Sequence, residues 1–226
     1  MITRWFRRRT PVGEVLLFDY DGVIADSEAV YFEEFTRACA EMGFDRLNSR
    51  EAFLRLFDHN LALQLVRAGF PLRRLRQLAE QFRPRMVEAN RRIRPFPGMP
   101  ELIGRLATRH PLHIITSNAT ETVAGFLADY GVEGVRSVIG ADQETSKVKK
   151  IRMVLRREPG RRAWYIGDTR GDMVEARRAR VHAVGVAWGW HDEARLRSAH
   201  PVCVARTQGE LLGWFDRPVV SLDEIE

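Results

Sequence analysis

The sequence has little of what marks secreted and membrane-spanning proteins. Only two of its 226 residues are cysteine, Cys39 and Cys203, so we expect a reducing compartment and no disulfide framework. No apolar run approaches the roughly 20 residues that cross a bilayer, which excludes a transmembrane helix. The apolar segment after the basic first residues, Val15 to Phe18, is too short for the core of a signal peptide. The sequence therefore predicts a cytoplasmic protein with no membrane partner.

Lysine is scarce as well, because the 36 basic residues include only Lys147, Lys149 and Lys150. Against 30 acidic residues the formal net charge is +6, but no long basic stripe is interleaved with aromatic residues, so we expect no nucleic-acid partner. Glycine and proline are at ordinary levels and no charged tract is long, which excludes disordered and fibrous classes. The length suits one large domain, or a core domain with one insertion.

Short apolar runs typical of β-strands alternate with stretches of helical spacing. The predicted strands are residues 14–18, 112–116, 135–139, 163–166, 182–186 and 202–205. Helical spacing predicts helices over residues 99–109, 121–130 and 148–157, and Thr207 with Glu210 forms a capping box that opens a last helix. Strands that alternate with helices predict an α/β fold with a mostly parallel, doubly wound sheet.

Residues 27–95, which we name the helical insertion, break this alternation. They contain no convincing strand, and their spacing predicts helices over residues 28–42, 50–57, 61–68 and 72–92. Asp26 and Ser27 are expected to cap the first of these helices. The sequence thus predicts a core domain of residues 1–26 and 96–226 and a helical cap domain of residues 27–95.

Polar residues follow several predicted strands at the point where each strand ends. Strand 14–18 leads into Asp19-Tyr20-Asp21-Gly22, strand 112–116 ends in Thr116-Ser117-Asn118, and strand 163–166 leads into Asp168-Thr169-Arg170-Gly171-Asp172. Ser146 and Lys147 precede the helix that leads to this last strand. Because ligands bind beyond the carboxyl ends of the strands in an open parallel sheet, we expect these side chains to meet at one edge.

These residue types suit phosphoryl transfer. Neighbouring carboxylates repel one another and need a cation, and an all-oxygen ligand set suits Mg²⁺. One carboxylate can attack phosphorus, and a second acid can protonate the leaving oxygen and later activate water. A hydroxyl and an ammonium group, as in Thr116 and Lys147, would bind the non-bridging phosphate oxygens. Gly22 permits the tight backbone required directly after the two acids.

Four segments in this order resemble the motifs of the haloacid dehalogenase superfamily: residues 18–27, 115–118, 146–147 and 166–172. The helical insertion resembles the small cap domain of that family, and residues 96–102 and 185–189 resemble its phosphoglycolate-phosphatase-like branch. The resemblance implies a Rossmann-like core, a helical cap, and a Mg²⁺-dependent enzyme that works through an aspartyl-phosphate. Dehalogenases of the superfamily lack an acid two residues after the nucleophile, so Asp21 favours a phosphatase.

The resemblance also implies roles for individual residues. Asp19 is the expected nucleophile and Asp21 the general acid and base. The expected metal ligands are Asp19, Asp168 and the backbone carbonyl of Asp21, with Asp172 orienting metal-bound water. The expected phosphate-binding residues are Thr116, Ser117, Asn118, Lys147 and Gly22.

Several alternatives stay open at this point. Ser117 could take the role of Thr116, and Lys149 or Lys150 that of Lys147. Asp172 could instead be an acid that the dipole at a helix N-terminus favours. His59, in the helical insertion, is the one histidine for which a role in the site is considered.

The sequence predicts a Mg²⁺-dependent phosphatase acting on a small phosphorylated metabolite, phosphoglycolate first or a sugar phosphate. One alternative is a sugar-phosphate mutase of the β-phosphoglucomutase type, because residues 21–27 also resemble that branch. Another is a non-catalytic phosphate-binding module, against which Asp21 argues because binding alone does not need it. We expect a monomer or homodimer in which the cap works as a lid, with hinges near residues 25–27 and 95–98.

Overall fold

The computed structural model describes residues 13–59 and 61–216, so the arginine-rich N-terminal segment lies outside the described residues. The described chain forms these β-strands: β1 (Glu14–Phe18), β2 (Ala25–Asp26), β3 (Arg94–Pro95), β4 (Leu112–Ile115), β5 (Val135–Ile139), β6 (Arg162–Gly167), β7 (His182–Val186) and β8 (Cys203–Ala205). Its α-helices are α1 (Glu28–Glu41), α2 (Arg50–Arg55), α3 (Leu61–Arg67), α4 (Leu75–Ala89), α5 (Met99–Ala107), α6 (Thr120–Asp129), α7 (Lys147–Arg157), α8 (Arg170–Ala179), α9 (Glu193–Arg197) and α10 (Gln208–Phe215).

Strand β1 lies at the centre of the main sheet because it is apolar on both of its faces. Successive side chains of a strand point to opposite faces, and those of Val15 and Leu17 join one hydrophobic cluster while those of Leu16 and Phe18 join another. All four side chains are fully buried. A strand buried on both faces requires a layer of helices on each side of the sheet.

The helices form these two layers. Apolar residues of α5, α6 and α10 pack in the cluster that contains Leu16 and Phe18. Apolar residues of α7, α8 and α9 pack in the cluster on the opposite face. The predicted α/β class with a doubly wound sheet is confirmed.

The order of the six strands places a crevice beside β1. The order is β5-β4-β1-β6-β7-β8, and every neighbouring pair is parallel. The chain moves outward from β1 through β4 to β5 and then crosses back to β6 on the other side of β1. Such a reversal separates the connecting loops at the carboxyl ends of the central strands, which is where this class of sheet binds ligands.

The helical insertion is confirmed as a set of helices, α1 to α4, with a hydrophobic cluster of its own that includes Phe35, Phe53 and Leu65. The expectation that it contains no strand is wrong at its C-terminal end, where β3 lies. Strand β2 pairs antiparallel with β3 through Ala25 with Pro95 and Asp26 with Arg94. These strands are two residues long, too short for any periodicity to show, and they join the chain segments that leave and return to the core.

Other differences from the predicted elements concern helix ends and short helices. The helix predicted over residues 72–92 consists of 3₁₀ turns at Leu72–Arg74 and Asn90–Arg92 on either side of α4, which contains Pro84. The short helix α9 was not predicted. It begins where the Asp192 side chain accepts a hydrogen bond from the backbone N–H of Arg195, 2.8 Å away.

Polar contacts hold the helical insertion against the loop and helix that follow β7. The Arg195 guanidinium donates two hydrogen bonds to the Asp58 carboxylate, at 2.7 and 2.9 Å. The His191 ring lies 2.9 Å from the carbonyl oxygen of Leu54. Trp190 belongs to the hydrophobic cluster of the insertion, with its ring centroid 4.6 Å from that of Phe57. The insertion therefore packs directly over the carboxyl end of the sheet.

The described residues bear on the expectations about disulfides and membrane-spanning helices. Cys39 and Cys203 are both free thiols there, which agrees with the absence of a disulfide framework. No helix in residues 13–59 or 61–216 has both the length and the apolar character needed to cross a bilayer.

The central position of β1 leads to a test of the packing. Replacing Leu16, which is fully buried, by alanine should lower the free energy of unfolding by about 2–5 kcal/mol because a cavity is left in a closed core. The matched variant Leu72→Ala, at a side chain that is 71% exposed, should change it by no more than about 0.5 kcal/mol. Urea unfolding measures both, and equal losses would contradict the assignment of β1 as the central strand.

Candidate active site

Five predicted site residues come together at the carboxyl edge of the sheet. Asp19 directly follows β1, Thr116 follows β4 and Asp168 follows β6. Lys147 is the first residue of α7, and Asp172 lies in the first turn of α8. Because parallel strands end at the same edge and the helices begin there, residues far apart in sequence share one site.

Asp19 is held by a backbone group and by an ammonium group. Its Oδ1 accepts a hydrogen bond from the backbone N–H of Tyr20 at 2.8 Å. Its Oδ2 accepts one from Lys147 Nζ at 2.8 Å, and the same Nζ donates to Oδ1 of Asp172 at 2.5 Å. Lys147 therefore bridges two carboxylates that are 153 positions apart in the chain.

The neighbouring lysines have other partners. Lys149 is exposed and forms an ion pair with Glu144 at 3.5 Å. Lys150 is almost fully buried and donates to the backbone carbonyl oxygen of Thr116. Of the three lysines that the sequence left as candidates, Lys147 is the one in contact with Asp19.

The side chains of Asp19, Asp168 and Asp172 form what we name the carboxylate cluster. One carboxylate oxygen from each lies within 4.8 Å of the others, and all three residues are buried. Oδ2 of Asp168 accepts a hydrogen bond from the backbone N–H of Trp190 at 2.9 Å. Oδ2 of Asp172 accepts from the backbone and hydroxyl of Thr169, at 3.0 and 2.6 Å, so Asp172 completes a capping box as well as contacting Lys147.

Burial and mutual repulsion govern the protonation of this cluster. Burial, with repulsion from Asp172 and Asp21, raises the pKa of Asp19 to about 8 even though Lys147 opposes the shift. Burial and the charges of Asp172 and Asp19 also raise the pKa of Asp168 well above its usual value. Burial alone would raise the pKa of Asp172 too, but Lys147 and Thr169 hold it below its usual value.

The same two carboxylates keep Lys147 charged. Burial alone would lower the pKa of Lys147, but attraction to Asp172 and Asp19 raises it well above the usual value. One ammonium therefore faces three carboxylates.

The donor set fits a divalent cation that prefers oxygen ligands. When ionised, the three carboxylates outnumber the single ammonium in a buried place, and a further cation would stabilise their ionised forms. The Asp21 side chain is not part of the carboxylate cluster. Its backbone carbonyl oxygen accepts no backbone hydrogen bond from residues 13–59 and 61–216, which leaves it free to serve as a ligand.

Asp21 has a different environment from Asp19, although only one residue separates them. Its Oδ2 lies 2.8 Å from Nδ2 of Asn118, which donates to it, and 3.2 Å from the hydroxyl of Tyr31. Its Oδ1 is buried and has no hydrogen-bond partner among the described residues. Burial raises the pKa of Asp21 to about 6, against the opposing effect of the nearby polar groups of Ser27, Tyr31 and Asn118.

The turn after β4 carries the predicted phosphate-binding residues. The Thr116 side chain is fully buried, and its Oγ1 accepts a hydrogen bond from the backbone N–H of Asn118 at 3.0 Å. Ser117 is exposed. Lys150 Nζ stabilises this turn by donating a hydrogen bond to the carbonyl oxygen of Thr116. The structure therefore places Asn118 in contact with Asp21 and buries Thr116 in the same turn, whereas Ser117 is exposed.

Gly22 lets the backbone after Asp21 approach the carboxylate cluster. Its φ is +71°, a conformation that side chains disfavour. A Cβ atom at this position would lie 1.8 Å from Oδ2 of Asp168 and 2.7 Å from Cδ1 of Trp190. A side chain here would displace a member of the cluster.

Other predicted residues lie elsewhere or behave differently. Ser27 is the residue before α1, but its side chain makes no capping hydrogen bond, so this expectation is wrong, and its buried hydroxyl has no hydrogen-bond partner among the described residues. His59 does not contact the carboxylate cluster; its Nε2 lies 2.9 Å from the Arg170 guanidinium, where the insertion meets the core.

Three contact residues were not found from the sequence, and a fourth, Lys150, was considered there only as an alternative to Lys147. Thr169 orients Asp172, the Trp190 backbone orients Asp168, Lys150 supports Thr116, and Tyr31 contacts both Asp21 and Asn118. The spacing of Thr169 and Asp172 matches a capping box and could have been recognised. Tyr31 carried no signal, because its position depends on how the insertion packs on the core.

Most of the chain, including the site, is similar to known proteins. The profile of one family, described as haloacid dehalogenase-like hydrolase, matches residues 16–186, which is more than two thirds of the chain. The chain belongs to the haloacid dehalogenase-like hydrolases. The predicted family is thereby confirmed, and with it the prediction of an enzyme. The matched range includes all four motifs and the whole helical insertion.

Individual hydrolases of this kind are similar over most of their length. A phosphoglycolate phosphatase of Synechococcus elongatus is 27% identical over 204 residues, covering 88% of this chain and 95% of the relative. A 5′-nucleotidase of Pseudomonas aeruginosa is 28% identical over 199 residues, covering 82% and 88%. The solved structure of a haloacid dehalogenase-like hydrolase from Streptococcus pneumoniae has a TM-score of 0.77 at 22% identity, covering 90% of this chain and 99% of that one. The last comparison supports the fold alone.

The close approach at Gly22 generates a test of the site. Gly22→Ala should lower hydrolysis of p-nitrophenyl phosphate in the presence of Mg²⁺ by about 100-fold, because a displacement of about 1 Å among reacting groups has an effect of that size. Gly43→Ala is the matched control, since Gly43 has φ +69° and nothing within 4 Å of an added Cβ.

Both alanines carry a backbone strain of about 1–2 kcal/mol, so a drop in melting temperature should occur in both variants. Loss of activity should occur in Gly22→Ala only. Equal activity in the two variants would show that the approach of Gly22 to Asp168 does not matter for the reaction.

Proposed function

We propose that this hydrolase is a Mg²⁺-dependent phosphatase that releases phosphate from a small phosphorylated metabolite through an aspartyl-phosphate on Asp19. The observation that carries the proposal is the contrast between two acids with a single residue between them. Asp19 contacts an ammonium group inside the carboxylate cluster, whereas Asp21 has only uncharged hydrogen-bond partners. An ammonium group beside a carboxylate favours its ionised, nucleophilic form, whereas uncharged hydrogen-bond partners leave a carboxyl group able to carry and exchange a proton.

In the first step, a carboxylate oxygen of Asp19 attacks the phosphorus atom and the bond to the leaving oxygen breaks. Asp21, in its protonated form, gives its proton to that oxygen, so the product leaves as an alcohol. Thr116 and Asn118 bind non-bridging oxygens of the phosphoryl group. Lys147 offsets the negative charge of the phosphoryl group and of Asp19 during the transfer.

In the second step, Asp21 is ionised and takes a proton from water, and the water oxygen attacks the phosphorus atom of the aspartyl-phosphate. The bond between phosphorus and Asp19 breaks, and inorganic phosphate and the free carboxylate are restored. The proton that Asp21 gave in the first step is thereby recovered, so the two steps balance as hydrolysis.

The metal proposed for the site is Mg²⁺, which would be held by Asp19, Asp168 and the backbone carbonyl of Asp21, with Asp172 orienting a bound water. When bound, it neutralises the phosphate oxygens and orients the phosphoryl group for in-line attack. The raised pKa values of Asp19 and Asp168 support this assignment, because a cation would favour their ionised forms.

Phosphoglycolate is the first substrate to test, since the name of one relative specifies it. The 5′-nucleotidase relative adds nucleoside monophosphates as a second class, and sugar phosphates form a third. The runner-up activity is a mutase of the β-phosphoglucomutase type, in which the phosphoryl group returns to the sugar instead of passing to water.

A panel of phosphate esters tests the proposal. With Mg²⁺ the wild type should release phosphate mainly from one or two compounds of the panel. Asp19→Asn should lower kcat by about 10⁴-fold or more, because removal of a nucleophile abolishes the covalent route. Asp129→Asn, at an exposed aspartate at the end of α6, is the matched control and should retain activity. Phosphate release is measured with and without chelation of the metal.

Three outcomes would count against the proposal. Full activity in Asp19→Asn would exclude Asp19 as the nucleophile. Isomerisation of β-glucose 1-phosphate with little phosphate release would favour the mutase. No release from any compound would favour a phosphate-binding module.

We also propose that residues 27–95 are a cap domain on a core of residues 1–26 and 96–226, and that the cap opens to admit the substrate. In support, Thr116, Asp168 and Asp172 are each no more than 1% exposed. Trp190, whose backbone N–H donates to Asp168, packs against Phe57 of the insertion. The paired strands β2 and β3 connect the two parts, and the contact between Arg195 and Asp58 holds them together. A lid of this kind excludes bulk water from the site and so limits uncontrolled hydrolysis of the aspartyl-phosphate.

Hydrogen exchange tests this movement. Mg²⁺ with fluoroberyllate, a mimic of the phosphorylated aspartate, should slow amide exchange at residues 25–27 and 94–98, because a ligand of the closed state increases its population. Peptides from α10, on the far side of the core domain, should exchange at an unchanged rate. Unchanged exchange at both connecting segments would contradict the lid.

A further inference from the structure

Tyr31 joins the helical insertion to the two loops that carry Asp21 and Asn118. Its hydroxyl lies 2.7 Å from Oδ1 of Asn118 and 3.2 Å from Oδ2 of Asp21. Nδ2 of Asn118 donates to the same oxygen of Asp21 at 2.8 Å. The three side chains form a triangle of polar contacts in which the single hydroxyl hydrogen of Tyr31 is shared between Asn118 Oδ1 and Asp21 Oδ2. Only Tyr31 comes from the insertion, on α1.

This triangle leaves the two oxygens of Asp21 in different states. Oδ2 is occupied by Tyr31 and Asn118, whereas Oδ1 is buried and has no hydrogen-bond partner among the described residues. A buried oxygen without a partner is costly unless something else pairs with it. A leaving oxygen that exchanges a proton with Oδ1 would supply that partner.

We propose that Tyr31 is a positioning residue that holds the Asp21 carboxyl so that its Oδ1 faces the leaving oxygen, and that it does so only when the insertion is seated on the core. The inference rests on the proposed function, since it assigns the alignment of the acid to a residue of the lid. Proton transfer from Asp21 would then be coupled to closure, which limits transfer while the site is open to water.

The position of the Tyr31 hydroxyl is set by the packing of its ring. The ring centroid lies 5.4 Å from that of Trp190, a core residue, and 5.8 Å from that of Phe82, on α4. Tyr31→Phe keeps this ring packing and removes only the hydroxyl. It therefore separates alignment of the acid from support of the insertion.

The test compares two leaving groups. The leaving oxygen of an alkyl phosphate, 2-phosphoglycolate or the best alkyl substrate of the panel, needs a proton, whereas p-nitrophenyl phosphate releases p-nitrophenolate, which is stable as an anion. Tyr31→Phe should lower kcat/KM for the alkyl phosphate by about tenfold or more and that for p-nitrophenyl phosphate by no more than about threefold. The ratio kcat/KM reports only the steps up to loss of the leaving group, so slow hydrolysis of the aspartyl-phosphate does not obscure the comparison.

Two further variants control the result. Tyr130→Phe removes another hydroxyl that joins core and insertion, 3.2 Å from the carbonyl oxygen of Ile93, but it contacts neither Asp21 nor Asn118. It should affect both substrates equally or not at all. Asp21→Asn should show the same preference for p-nitrophenyl phosphate as Tyr31→Phe. The double variant should lose no more than Asp21→Asn alone, because Tyr31 acts through Asp21.

Equal losses on the two substrates, or an additive loss in the double variant, would overturn the inference and leave Tyr31 a packing residue. An increase in kcat/KM would overturn it too, since the hydroxyl would then obstruct the leaving group. If the wild type hydrolysed neither substrate, the proposed function itself would fail. If the wild type is active and Tyr31→Phe leaves kcat/KM unchanged on both substrates, only the role of Tyr31 would be refuted.

Discussion

The site depends on one ammonium group placed among buried carboxylates. Lys147 contacts Asp19 and Asp172, and Asp168 lies beside them, in surroundings that raise the pKa of two of the three acids. Removing one partner from a buried ion pair costs about 3–5 kcal/mol, because the other charge stays buried without compensation. The cluster therefore requires that the ends of strands β1 and β6 and the first turns of α7 and α8 lie next to one another. The parallel sheet supplies that arrangement, with Phe18 beside Ile166 at its carboxyl edge.

The two parts of the molecule provide different kinds of partner to the two acids. The core surrounds Asp19 with charge, through Lys147 and the other carboxylates. The helical insertion contributes an uncharged hydroxyl, that of Tyr31, to Asp21, and its aromatic side chains pack around Trp190. Two carboxyl groups of one short loop thus have separate chemistry because one faces the core and the other faces the insertion. The fold therefore bears on the acid–base function proposed for Asp21, because the insertion begins at the end of the loop that follows β1 and carries this acid.

The sequence predicted those features that depend on local pattern. Apolar runs located every strand of the main sheet to within about a residue or two, since each is buried on at least one face and flanked by polar residues. It was less successful where contacts across the chain decide the structure. The strands β2 and β3 are two residues long and exist only because they pair with each other. Ser27 is a residue type that commonly caps helices, yet its hydroxyl is buried and makes no capping hydrogen bond to α1.

The sequence by itself determined the family, the α/β class and the set of chemically able residues, because the motifs are contiguous and each lies at a strand end or helix start. The tertiary structure decided which lysine contacts Asp19, since Lys147, Lys149 and Lys150 differ only in the direction they take from the first turn of α7. It also decided that Tyr31 contacts Asp21. That contact depends on how the insertion seats against Trp190 and Phe82, which is a matter of packing between distant segments and leaves no trace in local periodicity.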